Sequence, residues 1–402
     1  MDSYQVQHRI HLKPGREASV AARHPWVFSG AVERVESLAG AVDGGVCDLL
    51  DAEGGFRARG TLHRSSQILC RILTWKEEPI DDAFFASRIA AAAALRERWI
   101  DAETTDAYRL VNAEGDLLPG LIVDRYADYL AVQCLTSGMS HLEALWCGAL
   151  DRLLSPAAII DRTERAVRDP ALEGRCRALR GGIPEGAIPI KENGLAFRVR
   201  LDAGQKTGFY IDQRENRALL GRLARGCEVL NGFSYTGAFG VYAACGGAAR
   251  VVQVESSAPA LEEARAHWQQ NGLSDDRVEH VKDDLFRFLR REERMFDIVV
   301  LDPPPYAKQK ADVARAARAY KDLNLWGMRR LRPGGLLMSF SCSQHISVDL
   351  FQKILFGATR DAGVSLQWLK RLGPGADHPV HVDHPQGEYL KGFLLRRLDA
   401  GG

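Results

Sequence analysis

The chain has no run of about 18 apolar residues, so nothing in it reads as a membrane-spanning helix. Its first residues, Met1-Asp2-Ser3-Tyr4-Gln5, lack the basic-then-apolar pattern of a secretion signal, and a cytoplasmic protein is expected. Its eight cysteines (47, 70, 134, 147, 176, 227, 245 and 342) form no C-x-x-C pair. That spacing argues against a zinc site or a dithiol redox motif, and the expected compartment argues against a disulfide framework. Most of the cysteines read as small buried hydrophobes. The net charge is only +1, so no global field advertises a nucleic-acid partner, and any such contact must come from local patches. Internal repeats and low-complexity tracts are absent as well.

What is present is ordinary globular composition, 46% hydrophobic and 26% charged, over 402 residues. That length calls for two or three domains. Residues 5–77 read as short strands broken by Gly and Asp turns: Gln7 to Leu12, His24 to Gly30, Gly45 to Asp51, Phe56 to Leu62 and Gln67 to Trp75. Closely spaced strands of this kind suggest a small barrel over 1–78. Its Lys13-Pro14-Gly15-Arg16 and His24-Pro25-Trp26-Val27-Phe28 runs resemble an RNA-binding PUA module. Basic clusters occur at Arg9, His11, Lys13 and Arg16, at Arg57, Arg59, His63 and Arg64, and at Arg162, Arg165, Arg168, Arg175, Arg177 and Arg180. Taken alone, each reads as a solvated face rather than a phosphate contact.

A middle α+β domain is expected over 79–187. It opens with a helix at 83–100, continues as a meander (108–112, 121–124, 129–135), and adds a helix near 140–154 and a strand at 158–161. A turn-rich stretch at about 169–188 closes it. From 188 to 402 strands and helices alternate, with strands at 227–230, 250–255, 278–281, 296–301 and 335–340. This pattern predicts an α/β, Rossmann-like, doubly wound and mostly parallel sheet.

The chemistry-bearing residues fall at the carboxyl ends of these strands, where open α/β sheets hold ligands. The first strand runs into Asn231-Gly232-Phe233-Ser234-Tyr235-Thr236-Gly237, a glycine-bearing turn before a helix. It is not G-x-G-x-x-G, which weakens a nicotinamide reading. The second strand ends at Glu255-Ser256, where a carboxylate suits a ribose diol. Asp283 and Asp284 follow the third strand, where an acceptor could meet an adenine amino group. The fourth strand stops at Asp302-Pro303-Pro304-Pro305-Tyr306-Ala307-Lys308, because proline gives a sheet no N–H and holds the preceding residue extended. The fifth delivers Ser341-Cys342-Ser343.

Loop, acid, acid and acid at four successive strand ends resemble class I S-adenosylmethionine (SAM) methyltransferases. The runs Gly204-Gln205-Lys206-Thr207-Gly208-Phe209-Tyr210-Ile211-Asp212-Gln213-Arg214, Asn231 to Gly237, Tyr320-Lys321-Asp322-Leu323-Asn324 and Ser341-Cys342-Ser343 resemble the RlmI-type 23S rRNA cytosine-C5 methyltransferases. So do Ala376-Asp377-His378-Pro379-Val380 and Tyr389-Leu390-Lys391-Gly392-Phe393, and the resemblance covers nearly the whole chain. It implies SAM as cofactor, ribosomal RNA as partner, no metal, and allows a homodimer. It places Lys206, Phe209, Asp212 and Arg214 around the cofactor with Asn231, Phe233, Ser234, Tyr235, Gly237, Glu255, Ser256, Asp283, Asp284 and Asp302. Cys342 is then the nucleophile and Asp302 its partner on the base, with Pro303, Pro304, Tyr306 and Lys308 facing substrate.

Two other readings stay open. The Asp-Pro-Pro-Pro-Tyr run also resembles the D-P-P-Y motif of amino-group methyltransferases, with the aromatic one place late. A non-catalytic RNA-binding or assembly protein with a silent methyltransferase fold is the third. His378, His381 and His384, flanked by Pro379 and Pro385, read as a loop rather than a metal site.

Overall fold

The computed structural model describes residues 4–163, 174–202 and 208–398. Arg165, Arg168 and Lys206 lie outside the described residues. The chain forms two compact units. The first comprises Met1–Gly194, Arg198–Ile211 and Ala376–Gly387; the second comprises Leu195–Phe197, Asp212–Gly375 and Glu388–Gly402. No helix among the described residues is long and apolar enough to cross a membrane.

The first unit holds two sheets. A six-stranded sheet runs in the order Trp26–Phe28, Ile68–Thr74, Phe56–Leu62, Val46–Leu50, His8–Leu12 and Val32–Ser37. Its inward residues, among them Ile10, Leu12, Val27, Leu49, Leu62 and Ile72, make one core. The last of these strands is missing from the sequence reading, because Val-Glu-Arg-Val-Glu-Ser buries none of its residues fully and carries no apolar run. Several basic residues here already have partners: Arg59 pairs with Asp48 at 2.7 Å and Arg57 with Asp51 at 2.6 Å.

The second sheet has five strands, ordered Arg177–Arg180, Ala158–Asp161, Tyr129–Cys134, Leu121–Tyr126 and Ala107–Asn112. The helix Asp82–Trp99, capped by the Asp81 carboxylate accepting from the Phe84 amide, lends Phe84, Phe85 and Ile89 to the core there. The expected helix near 140–154 is two pieces, Ser137–His141 and Glu143–Leu154.

Ala376–Gly387, expected with the C-terminal domain, belongs to the first unit. Arg96, 1% exposed, forks onto Asp116 at 2.6 and 2.7 Å and donates to the Asp377 carbonyl at 2.7 Å. The Asp377 carboxylate accepts from the Arg109 amide at 2.9 Å, and Asn112 donates to the Pro379 carbonyl at 3.0 Å. A buried guanidinium needs this many acceptors, and residues from distant parts of the chain supply them.

The second unit is a seven-stranded sheet. Its strands are β1 (Glu228–Gly232), β2 (Arg250–Glu255), β3 (Val278–Lys282), β4 (Phe296–Leu301), β5 (Leu331–Ser341), β6 (Leu366–Leu372) and β7 (Lys391–Arg397), ordered β3-β2-β1-β4-β5-β7-β6. The first five are parallel. β7 is antiparallel to both β5 and β6. Helices α1 (Arg214–Leu223), α2 (Ala238–Cys245), α3 (Ala258–Gln270), α4 (Leu285–Arg291), α5 (Val313–Arg329) and α6 (Val348–Ala362) connect them. Leu230, Val254, Val299, Leu301 and Leu337 from the strands pack with Leu323, Phe351 and Leu355 from the helices, which fixes where each strand ends.

Candidate active site

β1 and β4 are neighbours, and so are β4 and β5, so their carboxyl ends stand side by side with topology reversing between β1 and β4. Open parallel sheets form their ligand crevice at such a point.

At the end of β1 the backbone takes three left-handed steps in five residues: Phe233 (φ 56°), Tyr235 (φ 47°) and Gly237 (φ 78°). Phe233 and Tyr235 hold this conformation at a cost of about 1–3 kcal/mol each, which the surrounding structure must offset. The turn is closed by bonds from the Ser234 amide to the Val254 carbonyl at 3.0 Å and from the Gly237 amide to the Ser234 carbonyl at 2.8 Å. A Cβ at Gly237 would come within 2.8 Å of both Ala264 and Gln253, so glycine is needed for space as well as for φ. Asn231 is buried and donates to Gln253 at 3.2 Å.

Glu255 is oriented by this loop. One carboxylate oxygen accepts from the Tyr235 amide at 3.0 Å; the other accepts from the Ser257 amide at 2.8 Å and the Ser256 hydroxyl at 3.2 Å. A carboxylate has about four acceptor positions and three are taken here, so about one remains for a ribose hydroxyl. After β3, Asp284 caps α4 by accepting from the Arg287 amide at 3.1 Å, and Asp283 pairs with Arg291 at 2.6 Å. Asp212 accepts from the Tyr389 hydroxyl at 2.6 Å, while its carbonyl accepts from the Gly375 amide at 3.2 Å. Arg214 begins α1 and is buried. Phe209 belongs to the first unit, where its carbonyl accepts from Tyr126 at 3.3 Å.

These residues fit an adenosyl cofactor on one observation in particular. The Ser234 hydroxyl is buried in the left-handed loop with no protein partner, a polar group for which a bound ligand would account.

The ends of β4 and β5 form the second half. Asp302 is half-buried, Pro303 is buried, and Pro304 and Lys308 are exposed. Cys342, half-buried between the buried Ser341 and Ser343, donates from its thiol to the Pro303 carbonyl at 3.7 Å. Ser343 ties the two loops together. Its hydroxyl accepts from the Ala307 amide at 3.2 Å and pairs with the Tyr320 hydroxyl at 2.9 Å. Its carbonyl accepts from the Lys391 ammonium at 2.8 Å.

Tyr306 is half-buried, its ring 4.8 Å from Tyr320 and 6.4 Å from Phe286, and its hydroxyl is enclosed without a partner. Burial pushes its ionisation well up, and the neighbouring Tyr320 adds to this. Burial likewise pushes Tyr320 up to about 12, against the hydrogen bonds it receives from Ser341 and Ser343. Sequence reasoning missed Tyr320, Ser343 and Lys391 as individual site residues. Only the motif runs containing them could have signalled them, since a lone lysine or serine reads as surface.

Residues 163–396 match a family model described as S-adenosylmethionine-dependent methyltransferase, and residues 10–75 match a PUA-like domain. A protein of Shewanella amazonensis named ribosomal RNA large subunit methyltransferase I is 43% identical, across 96% of this chain and 99% of that one. Its namesake in Erwinia tasmaniensis is 42% identical with the same coverage. Among solved structures, a candidate SAM-dependent methyltransferase from Streptococcus mutans superposes with a TM-score of 0.83 at 23% identity, covering 98% of this chain and 100% of its own. Another, complexed with S-adenosylhomocysteine, reaches 0.84 at 23% identity with the same coverage, and both bear on the fold alone. The left-handed cofactor loop, the acids at the strand ends and these near full-length matches lead to one conclusion: the chain belongs to the ribosomal RNA large subunit methyltransferase I family of SAM-dependent methyltransferases, with a PUA-like domain at its N-terminal end.

Proposed function

We propose that this protein methylates carbon 5 of a cytosine in 23S ribosomal RNA, in the cytoplasm, through a covalent adduct of Cys342. The carrying observation is the thiol of Cys342 facing the Pro303 carbonyl at 3.7 Å, one strand over from Asp302. The names of its relatives supply the RNA, and the PUA-like domain is in keeping with it.

Carbon 5 of cytosine is a poor nucleophile. A Cys342 thiolate adding to carbon 6 forms an S–C bond and pushes the ring's double-bond electrons toward carbon 5. Bound SAM supplies an electrophilic methyl group there. Loss of the carbon-5 proton then restores the double bond and expels the thiolate. Asp302 stabilises the protonated N3 that develops as sulfur adds. The Pro303 and Pro304 carbonyls accept from the exocyclic amine, which favours cytosine over uracil. The target base must leave its stack, because carbon 6 is closed to a thiol inside a duplex.

The amino-group alternative needs an aromatic free to stack on the base. Tyr306 packed against Tyr320 and Phe286 counts against it. Cys342→Ala is expected to abolish methyl transfer to 23S rRNA while leaving SAM binding by calorimetry nearly intact. Full activity in that variant would sink the cysteine mechanism. Mass spectrometry showing N-methylated adenine or guanine instead of 5-methylcytosine in product RNA would favour the alternative.

A further inference from the structure

Lys391 is the first residue of β7, paired in register with Ser341, and it is 2% exposed. An ammonium so deep is costly unless it is hydrogen-bonded. Two of its three N–H groups are used: it donates to the Ser343 carbonyl at 2.8 Å and to the Ile346 carbonyl at 2.7 Å. Those carbonyls lie in the turn that leaves β5 directly after Cys342. A neutral amide could bridge two carbonyls at far lower desolvation cost, so the charge itself calls for an explanation.

We propose that Lys391 is a positioning residue for Cys342: it pins the turn that presents the thiol and supplies the positive charge that favours its thiolate. The nucleophile assignment comes from the cysteine mechanism above, on which this inference rests.

The electrostatics agree with that geometry. Burial lowers the Lys391 ammonium from 10.5 to about 8, while the Cys342 thiolate and the Glu388 carboxylate pull it back up. Such coupling is reciprocal: to whatever extent the thiolate favours the ammonium, the ammonium favours the thiolate. Tyr306, from the loop after β4, and Tyr320, from α5, also act on the thiol. Burial disfavours the anionic form of both, and a phenol has no cationic form to offer. Glu388, just before β7, acts on the ammonium rather than supplying positive charge of its own. Lys391 is the cation among these groups.

The test is the pH profile of Cys342 alkylation by iodoacetamide, read on its own peptide by mass spectrometry in the full-length protein. Lys391→Gln and Lys391→Met should raise the midpoint by about one unit and slow alkylation at pH 7 about ten-fold. Lys391→Arg should stay within about two-fold of the wild type. A purely structural role would change the rate equally at every pH and would not distinguish Arg from Gln. An unshifted midpoint in Lys391→Gln, with SAM affinity and melting temperature intact, overturns the proposal. So does a wild-type midpoint at or above the ordinary thiol value of about 8.5, which decides the matter even where no variant folds. Methyl transfer by Cys342→Ala is scored separately. Activity there removes the cysteine chemistry, while the alkylation profile still decides the coupling between Lys391 and Cys342.

Discussion

The two halves of the site are held open by different means. At the end of β1, geometry is written into the backbone: Phe233, Tyr235 and Gly237 turn left-handed, and the amide of Tyr235 thereby aims at Glu255. After β4 prolines end the strand, and bonds converging on one residue do the fixing, with Ala307, Tyr320 and Lys391 all meeting Ser343. A backbone cradle tolerates little change at its glycine. A side-chain clamp can be loosened one bond at a time. The first arrangement suits a cofactor of constant shape, and under the proposed mechanism the second would suit a base that is swung in and released.

Gly237→Val should break the first half most completely. The side chain meets Ala264 and Gln253 at 2.8 Å in a left-handed conformation, so SAM binding by calorimetry should be lost and stability reduced by about 2–4 kcal/mol. Ser343→Ala should act on the second half alone. Removing its hydroxyl leaves the buried Ala307 amide and Tyr320 hydroxyl short of a partner, at about 1–3 kcal/mol. Methyl transfer should fall about 10- to 100-fold through misplacement of the loop, with SAM affinity almost unchanged. Equal losses of binding and turnover would show that the two halves are not separately held.

His280 on β3, in a strand that supplies neither loop residue Gly237 nor Ser343, gives the smallest effect. Burial first, and then Arg265, lower it from 6.5 to about 4. Between those values the unfolded chain binds the proton and the folded one does not, so stability falls as pH drops from 6.5 toward 4. Urea midpoints of the wild type and His280→Gln at pH 7 and pH 5 should show a larger acid loss in the wild type.

The parallel core was legible because β1, β2 and β4 are apolar-rich runs ending in or just before Gly or an acid, with helical segments between them. β6 and β7 were not, since β6 exposes Trp368, Leu369 and Lys370 at the sheet edge, and β7 begins on a buried lysine. Asp302, Glu255 and Cys342 could be read at strand ends from spacing. What spacing could not carry was orientation: no pattern reveals that Tyr235 is left-handed, or that Asp283 meets Arg291 while Asp284 caps a helix. Nor does nearness in sequence reveal that Ala376–Gly387 belongs with residues such as Arg96 and Arg109.

That last segment bears on the order of events during synthesis. Domains made first usually fold first as the chain emerges. Here the buried Arg96 lacks one of its acceptors, and the amide of Arg109 its carboxylate, until Asp377 has left the ribosome. By then β1 to β6 of the second unit are already outside. The first unit thus completes its hydrogen bonding only after β1 to β6 of the second have been made, and a chain terminated before Asp377 leaves residues of its earliest segment short of partners supplied far later in the chain.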